Sequence, residues 1–415
     1  MSIKKYSIII LVFLLTLTIL GLGWFYYQNL RGIGPVINKP PTDITESLGK
    51  ATSTSSSTVS DFTEQNKPLV LPVGFRVEVF AKDLSGARAL AVDQAGHVWL
   101  SQTSAGTVAV LENANGKLVR KNIVLTGLNK PHGIAFDPKE PDMVYIAEET
   151  RIVRARIFIS GDLELETVVD LPKGGRHTSR SLVFDKEGQL YVSIGSTCDV
   201  CQEKDEQIAT IMKVNVALKK LEPLAKGLRN SVFMTLNYQS GDIWATEMGR
   251  DLLGDDLPPD EINIINTKTT STYNYGWPIC YGKNIHDTQF DKNTYFRNPC
   301  EEPFETPSFI DLPAHSAPLG LTFVPNNSKW PSEYKNNLFV AFHGSWNRST
   351  PTGYKVVRII LDEKNNFVRQ EDFISGWLTG KGALGRPVDL VFGLDGALYI
   401  SDDKAGVIYR IEYQM

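Results

Sequence analysis

Ser181–Gly195, SLVFDKEGQLYVSIG, is the stretch whose reading decides the fold. A short apolar run (Leu182–Phe184) meets the turn-forming residues Asp185-Lys186-Glu187-Gly188, and Leu190–Ile194 resumes as a β-rich run. The spacing predicts an antiparallel hairpin. Five further copies recur: ALAVDQAGHVWLSQ from Ala89, GIAFDPKEPDMVYIAE from Gly133, MTLNYQSGDIWATE from Met234, GLTFVPNNSKWPSEYKNNLFVAFHG from Gly320 and DLVFGLDGALYISD from Asp389. A third strand follows most of them, as in GTVAVLE from Gly106, RIVRARI from Arg151, ATIMKVNV from Ala209, YKVVRII from Tyr354 and GVIYRIE from Gly406. No long amphipathic helix intervenes. The globular part, 68–415, allots about 58 residues to each copy, enough for a four-stranded blade with its loops. A sandwich or barrel could use similar strands, but repetition of one hairpin and trailing strand favours an all-β fold, a six-bladed β-propeller.

The flanking sequence bounds the remaining possibilities. The 415 residues carry 43 Lys and Arg against 47 Asp and Glu, a net charge of −4, which gives no basic surface for nucleic acid. With 42% hydrophobic and 22% charged residues the chain is neither disordered nor a multispanning membrane protein. Residues 1–31 hold Lys4 and Lys5 and then an uncharged stretch from Tyr6 to Leu30. This run is longer than a secretory h-region, no A-x-A site follows it, and Trp24, Tyr26 and Tyr27 suit an interface. It is predicted to be an uncleaved transmembrane anchor with the propeller on the extracytoplasmic side of the cell membrane, a cleaved signal being the alternative. Residues 32–67, rich in Pro, Ser and Thr, are predicted to be a disordered linker.

Hairpin geometry then selects a surface. In an antiparallel pair the start of the first strand and the end of the second share one edge, so the residues flanking each hairpin converge on one face of the propeller. His132 with Glu148, His177 and Arg180 with Ser196, Arg229 and Asn230 with Glu247, His315 and Ser316 with His343, and Arg386 and Asp389 with Asp402 are all placed there. Four of the six histidines fall on that face. A lone histidine beside a strand is commonly structural, whereas this many ionisable groups around one channel mouth point to a functional site.

Other motifs carry less. One CxxC, Cys198 with Cys201, supplies two ligands where a structural zinc takes four, so a disulfide is the default, as it is for Cys280 with Cys300. Two sequons, at Asn326 and Asn347, are too short to be specific. No GxGxxG, P-loop, HExxH or GxSxG motif supports nucleotide, zincin or serine-hydrolase chemistry.

Several ordered segments, GGRHTSRSLVFDKEGQLYVSIGS from Gly174, GLRNSVFMTLNYQSGDIWATEMGRD from Gly227, DDLPPDEIN, NYGWPICYG, AHSAPLGLTF, FHGSWNRSTPTGYKVVRI and GRPVDLVFGLDGALYISDD, resemble the pyrroloquinoline-quinone-dependent glucose/sorbosone dehydrogenases, particularly their sorbosone dehydrogenase-like branch. The resemblance runs from about Leu71 to Tyr413. It implies a six-bladed propeller that binds pyrroloquinoline quinone and calcium on one face and passes two electrons from a sugar to a membrane or periplasmic acceptor. It implies that His177 of GGRH is the general base, that Arg229, Asn230 and Arg386 contact the quinone, and that Gly249 and Arg250 offer carbonyls to calcium. Three departures bear on the substrate. Gly249-Arg250 replaces the Gly-Pro of soluble glucose dehydrogenases, Val388 stands where those enzymes have a second arginine, and Leu128–His132 (LNKPH) replaces a segment bearing a glutamine. Arg180, Arg348 and Lys381 are the further cations available to the anionic quinone. A calcium-dependent propeller lactonase or hydrolase and a non-enzymatic glycan- or protein-binding propeller are the competing classes. Neither calls for a cluster of arginines and histidines around one channel mouth.

Overall fold

The hairpin at Leu182–Ile194 forms, with Leu182 opposite Val192 and Phe184 opposite Leu190. The computed structural model describes residues 3–41, 44, 69–157 and 163–414. All six repeats become blades. Blade 1 spans Ala87–Leu125, blade 2 Ile134–Asp170, blade 3 Leu182–Lys226, blade 4 Met234–Leu312 and blade 5 Pro318–Ile374, while blade 6 joins Pro387–Tyr413 to the early strand Phe75–Ala81. The six innermost strands neighbour one another in a closed ring around the channel.

The closing strand was invisible in the repeats. Phe75–Ala81 pairs antiparallel with Val407–Tyr413, Phe75 opposite Tyr413, so one blade is built from both ends of the domain. That pairing leaves no open seam where a sheet edge would otherwise be exposed. Within blades the second strand is the most enclosed: Leu338–Phe342 and Leu398–Asp402 are buried at every position, because both faces pack against neighbouring blades. Outer strands such as Lys117–Leu125 are largely exposed. Aromatic rings fill the wedge between blades 5 and 6, where Phe75 meets Trp330 at 4.8 Å and Phe373 at 5.0 Å, edge to face.

The expected linker departs from expectation at its start. Gly34–Ile37 is a helical turn, and Gly32–Asn38 is hydrogen-bonded to the propeller; residues 42–43 and 45–68 of the predicted linker lie outside the described residues. Before it, Ile3–Phe25 is helical and continues as a π-helical turn, Tyr26–Leu30; the span from Tyr6 to Leu30 is apolar and long enough to cross a membrane.

Blade 4 carries a long excursion between its third strand, Asp260–Ile265, and its outer strand, Ile310–Leu312. The disulfide Cys280–Cys300 closes part of it. Glu305 lies beside that disulfide, 3% exposed, and neither of its carboxylate oxygens has a hydrogen-bond partner among the described residues. Burial, reinforced by Glu261, pushes its carboxyl up to about 8. Folding therefore favours the protonated acid. The penalty for ionising it is absent below about pH 4.5 and accrues as pH rises toward 8. Glu305→Gln is expected to leave the melting midpoint near wild type at pH 5 and to raise it by about 2–4 °C at pH 8. Equal shifts at both pH values, read by calorimetry, would remove Glu305 from the pH dependence.

Candidate active site

The loop ahead of blade 3 sets the position of His177. Arg180, fully buried, donates from Nη1 to the carbonyls of His177 (3.1 Å) and Ser179 (3.0 Å), and from Nη2 to the carbonyl of Pro172 (3.2 Å). The guanidinium thus holds its own loop, and burial lowers it to about 10. Arg180, one of the further cations considered for the quinone, has both Nη groups engaged by its own loop, while its buried Nε has no partner among the described residues.

His177 rests against Gly195, where an added Cβ would come within 2.7 Å of the histidine Cβ and 2.9 Å of Asn230 Oδ1. Only glycine permits that approach. Nδ1 of His177 lies 3.0 Å from the Ser196 carbonyl and 2.9 Å from Ser196 Oγ, which itself donates to the Cys198 carbonyl. Both partners accept, so Nδ1 carries the proton and Nε2 presents a lone pair. Nε2 makes no hydrogen bond within the described residues. Burial, with Arg229 and Arg176 nearby, pushes the imidazole down to about 3 and keeps it neutral across the physiological range.

Arg229 is 4% exposed. Its Nε and Nη2 donate to the carbonyl and carboxylate of Asp199 (2.8 and 2.6 Å), Nη1 donates to the Met248 carbonyl (3.1 Å), and Nη2 lies 3.4 Å from Asp251. Asp251 also pairs with Arg176, whose side chain remains 43% exposed. Sequence reasoning passed over Arg176, Asp199 and Asp251, although the first sits inside GGRH and the last inside TEMGRD. They were missed because a pairing across 52 residues, such as Asp251 N–H to Asp199 Oδ1 at 2.9 Å, leaves no local pattern. The CxxC is oxidised, Cys198 to Cys201, and turns Asp199 toward Arg229.

The remaining predicted residues share the face without one common role. Asn230 stands across Gly195 from His177, its amide 3.6 Å from Met248 Sδ. Arg386 donates to the carbonyls of His343 (3.0 Å) and Gly344 (2.6 Å) and has no carboxylate within ion-pair distance among the described residues. Lys381 is exposed in the small hairpin Leu378–Ala383. Arg348, another of the cations considered for the quinone, bonds the carbonyl of Asp255 and the carboxylate of Asp256 and so braces the loop after blade 4's second strand. His132 is fully buried against Phe233 at 4.8 Å, and His315 donates to the Gly254 carbonyl at 2.7 Å; both are structural. His343 pairs with Asp403 at 2.9 Å.

Gly249 N–H donates to Asp260 Oδ1 at 3.0 Å, while the carbonyls of Gly249 and Arg250 accept no hydrogen bond from the described residues. Neutral oxygens of that kind fit calcium. For a polyanionic quinone the face offers Arg176, Arg386 and Lys381, cations retaining unused donors. A cavity of about 930 Å³ lies further down the channel, bordered by Phe136, Phe184, Phe233 and Phe392, on the side of the hairpin turns rather than beside His177. Size alone does not locate the chemistry.

The sequence model of the TrAA12-like family matches residues 69–414, the whole propeller. The chain belongs to the TrAA12-like family. An uncharacterized protein of Borreliella burgdorferi is 33% identical over 365 residues, covering 85% of the TrAA12-like chain and 92% of that protein. A pyrroloquinoline quinone-dependent pyranose dehydrogenase of Coprinopsis cinerea is 24% identical over 403 residues; the match covers 82% of the TrAA12-like chain but only 54% of that enzyme, about half its length. Two solved structures share the propeller fold with this TrAA12-like protein at 20% identity. A calcium structure of the Trichoderma reesei carbohydrate-active enzyme of family AA12 superposes with a TM-score of 0.72, covering 84% of this chain and 97% of that one. The holo quinone domain of the Coprinopsis cinerea pyranose dehydrogenase superposes with a TM-score of 0.70, covering 83% and 97%.

Proposed function

We propose that this TrAA12-like propeller is an extracytoplasmic quinoprotein dehydrogenase that oxidises a pyranose aldose, a sorbosone-like aldehyde or a related sugar. The observation that carries the reading is His177 Nε2, an open lone pair on an imidazole whose Nδ1–H is fixed by Ser196, beside cations with unused donors. Pyrroloquinoline quinone, when bound, supplies the two-electron acceptor that no protein side chain provides. Arg176, Arg386 and Lys381 would hold its carboxylates, and the carbonyls of Gly249 and Arg250 would hold calcium. Asn230 would donate its amide to the bound groups across Gly195.

His177 takes the proton of the reacting sugar hydroxyl at Nε2. Ser196 keeps the ring from turning, so the lone pair stays aimed at the substrate, and the resulting imidazolium is stabilised by its Nδ1–H bond to the Ser196 carbonyl. Arg180 and Arg229 act one step removed: the first fixes the loop bearing His177, the second anchors the Asp199 turn that follows Ser196. The two disulfides suit the oxidising side of the membrane. Electrons leave to a membrane or periplasmic acceptor.

Titration of the purified apoprotein with pyrroloquinoline quinone in the presence of calcium is expected to give saturable binding, followed by bleaching of the quinone absorption on addition of an aldose. A chelator added before the quinone should weaken binding at least tenfold. Saturable quinone binding with no bleaching by any aldose or sorbosone-like aldehyde would replace the dehydrogenase with a binding propeller.

A further inference from the structure

The predicted tether between anchor and propeller begins with a fixed joint. Gly32 is buried, and its N–H donates to the Arg348 carbonyl at 2.8 Å. A Cβ on Gly32 would drive into that same oxygen and against Pro351. Four residues on, Lys404 Nζ donates to the carbonyl of Val36 at 3.1 Å and also to that of Asn38. The turn Gly34–Ile37 lies against Gly382–Ala383, and Val36 packs onto the core cluster containing Trp377 and Leu384.

Each of these contacts falls at one end of the propeller. Arg348 sits between the second and third strands of blade 5, Lys404 between the second and third strands of blade 6, and Gly382–Ala383 ahead of blade 6's innermost strand. That is the face that carries His177, Gly249 and Arg386. From Gly32 the connection continues inward, since Arg348 bonds Asp255 and Asp256, and Leu257 beside them is 44% exposed. Leu252, on the same loop, is 41% exposed.

On the other side of the joint the distance to the apolar helix is short. Tyr27, the last aromatic residue of the span, precedes Gly32 by five residues, which reach at most ~17 Å even when fully extended. Arg31 covers the Tyr27 ring at 4.4 Å, leaving a cation at the level of lipid headgroups. A chain free up to residue 67 would let the propeller turn either end to the membrane. A chain clamped at Gly32 does not.

We propose that the docked segment Arg31–Lys39 holds the site face of the propeller against the lipid bilayer, with Leu252 and Leu257 toward the lipid surface and the hairpin-turn face pointing away. This rests on the reading of Tyr6–Leu30 as an uncleaved anchor. Substrate then enters from the gap between protein and membrane, and the site faces whatever acceptor the bilayer contains.

The test uses the full-length protein in vesicles of phosphatidylcholine and phosphatidylglycerol carrying a nitroxide on a fraction of the headgroups. All four cysteines are in disulfides, so an introduced cysteine is the sole thiol for a fluorophore. A label at Leu257→Cys should be quenched several-fold more than one at Gln239→Cys, which lies exposed on a hairpin turn of the opposite face. Adding Gly32→Val, or Lys404→Ala as a variant that leaves the segment's own sequence untouched, should bring the two signals together. Protein that fails to co-float with the vesicles would overturn the anchor and the orientation with it. Protein that co-floats but shows equal quenching at both labels would overturn the orientation, and an asymmetry untouched by both variants would overturn the docked segment as what holds it.

Discussion

His177→Ala is expected to lower steady-state sugar oxidation by the quinone- and calcium-loaded protein about 10²- to 10⁴-fold, the range that a positioned general base contributes. Quinone affinity and the melting midpoint should stay near wild type. Among the described residues the imidazole hydrogen-bonds only to Ser196, and the loop that carries it is fixed independently by Arg180, so its removal leaves the backbone in place. Because the ring is neutral well below pH 6, wild-type activity should show no acid limb near the ordinary histidine range. The measurements are turnover with an artificial acceptor, quinone titration and calorimetry on the same preparation. Turnover within a few-fold of wild type would exclude His177 as the base; loss of quinone binding would make it a cofactor contact instead.

Arg229→Ala should act first on stability. Removing the guanidinium leaves Asp199 and Asp251 without their buried cation, and breaking a buried pair in this way costs about 3–5 kcal/mol. Asp251 already sits at about 6 through burial. Without Arg229 its carboxyl should rise further, so the mutant's loss of stability should be greater at pH 8, where the group must ionise with only the half-exposed Arg176 as partner, than at pH 5.5. Arg229→Lys should recover only part of the loss, since one ammonium cannot serve the Asp199 carbonyl, the Asp199 carboxylate and the Met248 carbonyl together. Denaturant unfolding at the two pH values gives the comparison. A mutant as stable as wild type at both would show that Arg229 is not a keystone of the Asp199 turn, and weakened quinone binding in such a mutant would return it to the cofactor.

The six hairpins were legible because each is a local event: alternation over a few residues and a turn residue at a fixed offset specify it. The face that gathers His177, Asn230, Gly249 and Arg386 was legible for the same reason, since antiparallel pairing alone fixes which ends of the strands meet. What each cation does there was not legible. Arg180, Arg229 and Arg386 have the same side chain on the same face. Arg180 turns inward to its own loop, Arg229 is sealed between two aspartates, and Arg386 has no carboxylate partner among the described residues.

By itself the sequence determined the repeat, the blade number and the apolar segment, made Cys198–Cys201 and Cys280–Cys300 the default pairs, and picked out the face on which ionisable groups gather, all products of short-range pattern. Tertiary structure alone decided which end of the chain closes the ring, how Asp199 and Asp251 partner Arg229, and that Gly32 locks onto Arg348. These contacts join residues 22 to more than 300 positions apart. Such pairings depend on burial and on the geometry of several loops at once, and neither is written in the spacing of any one segment.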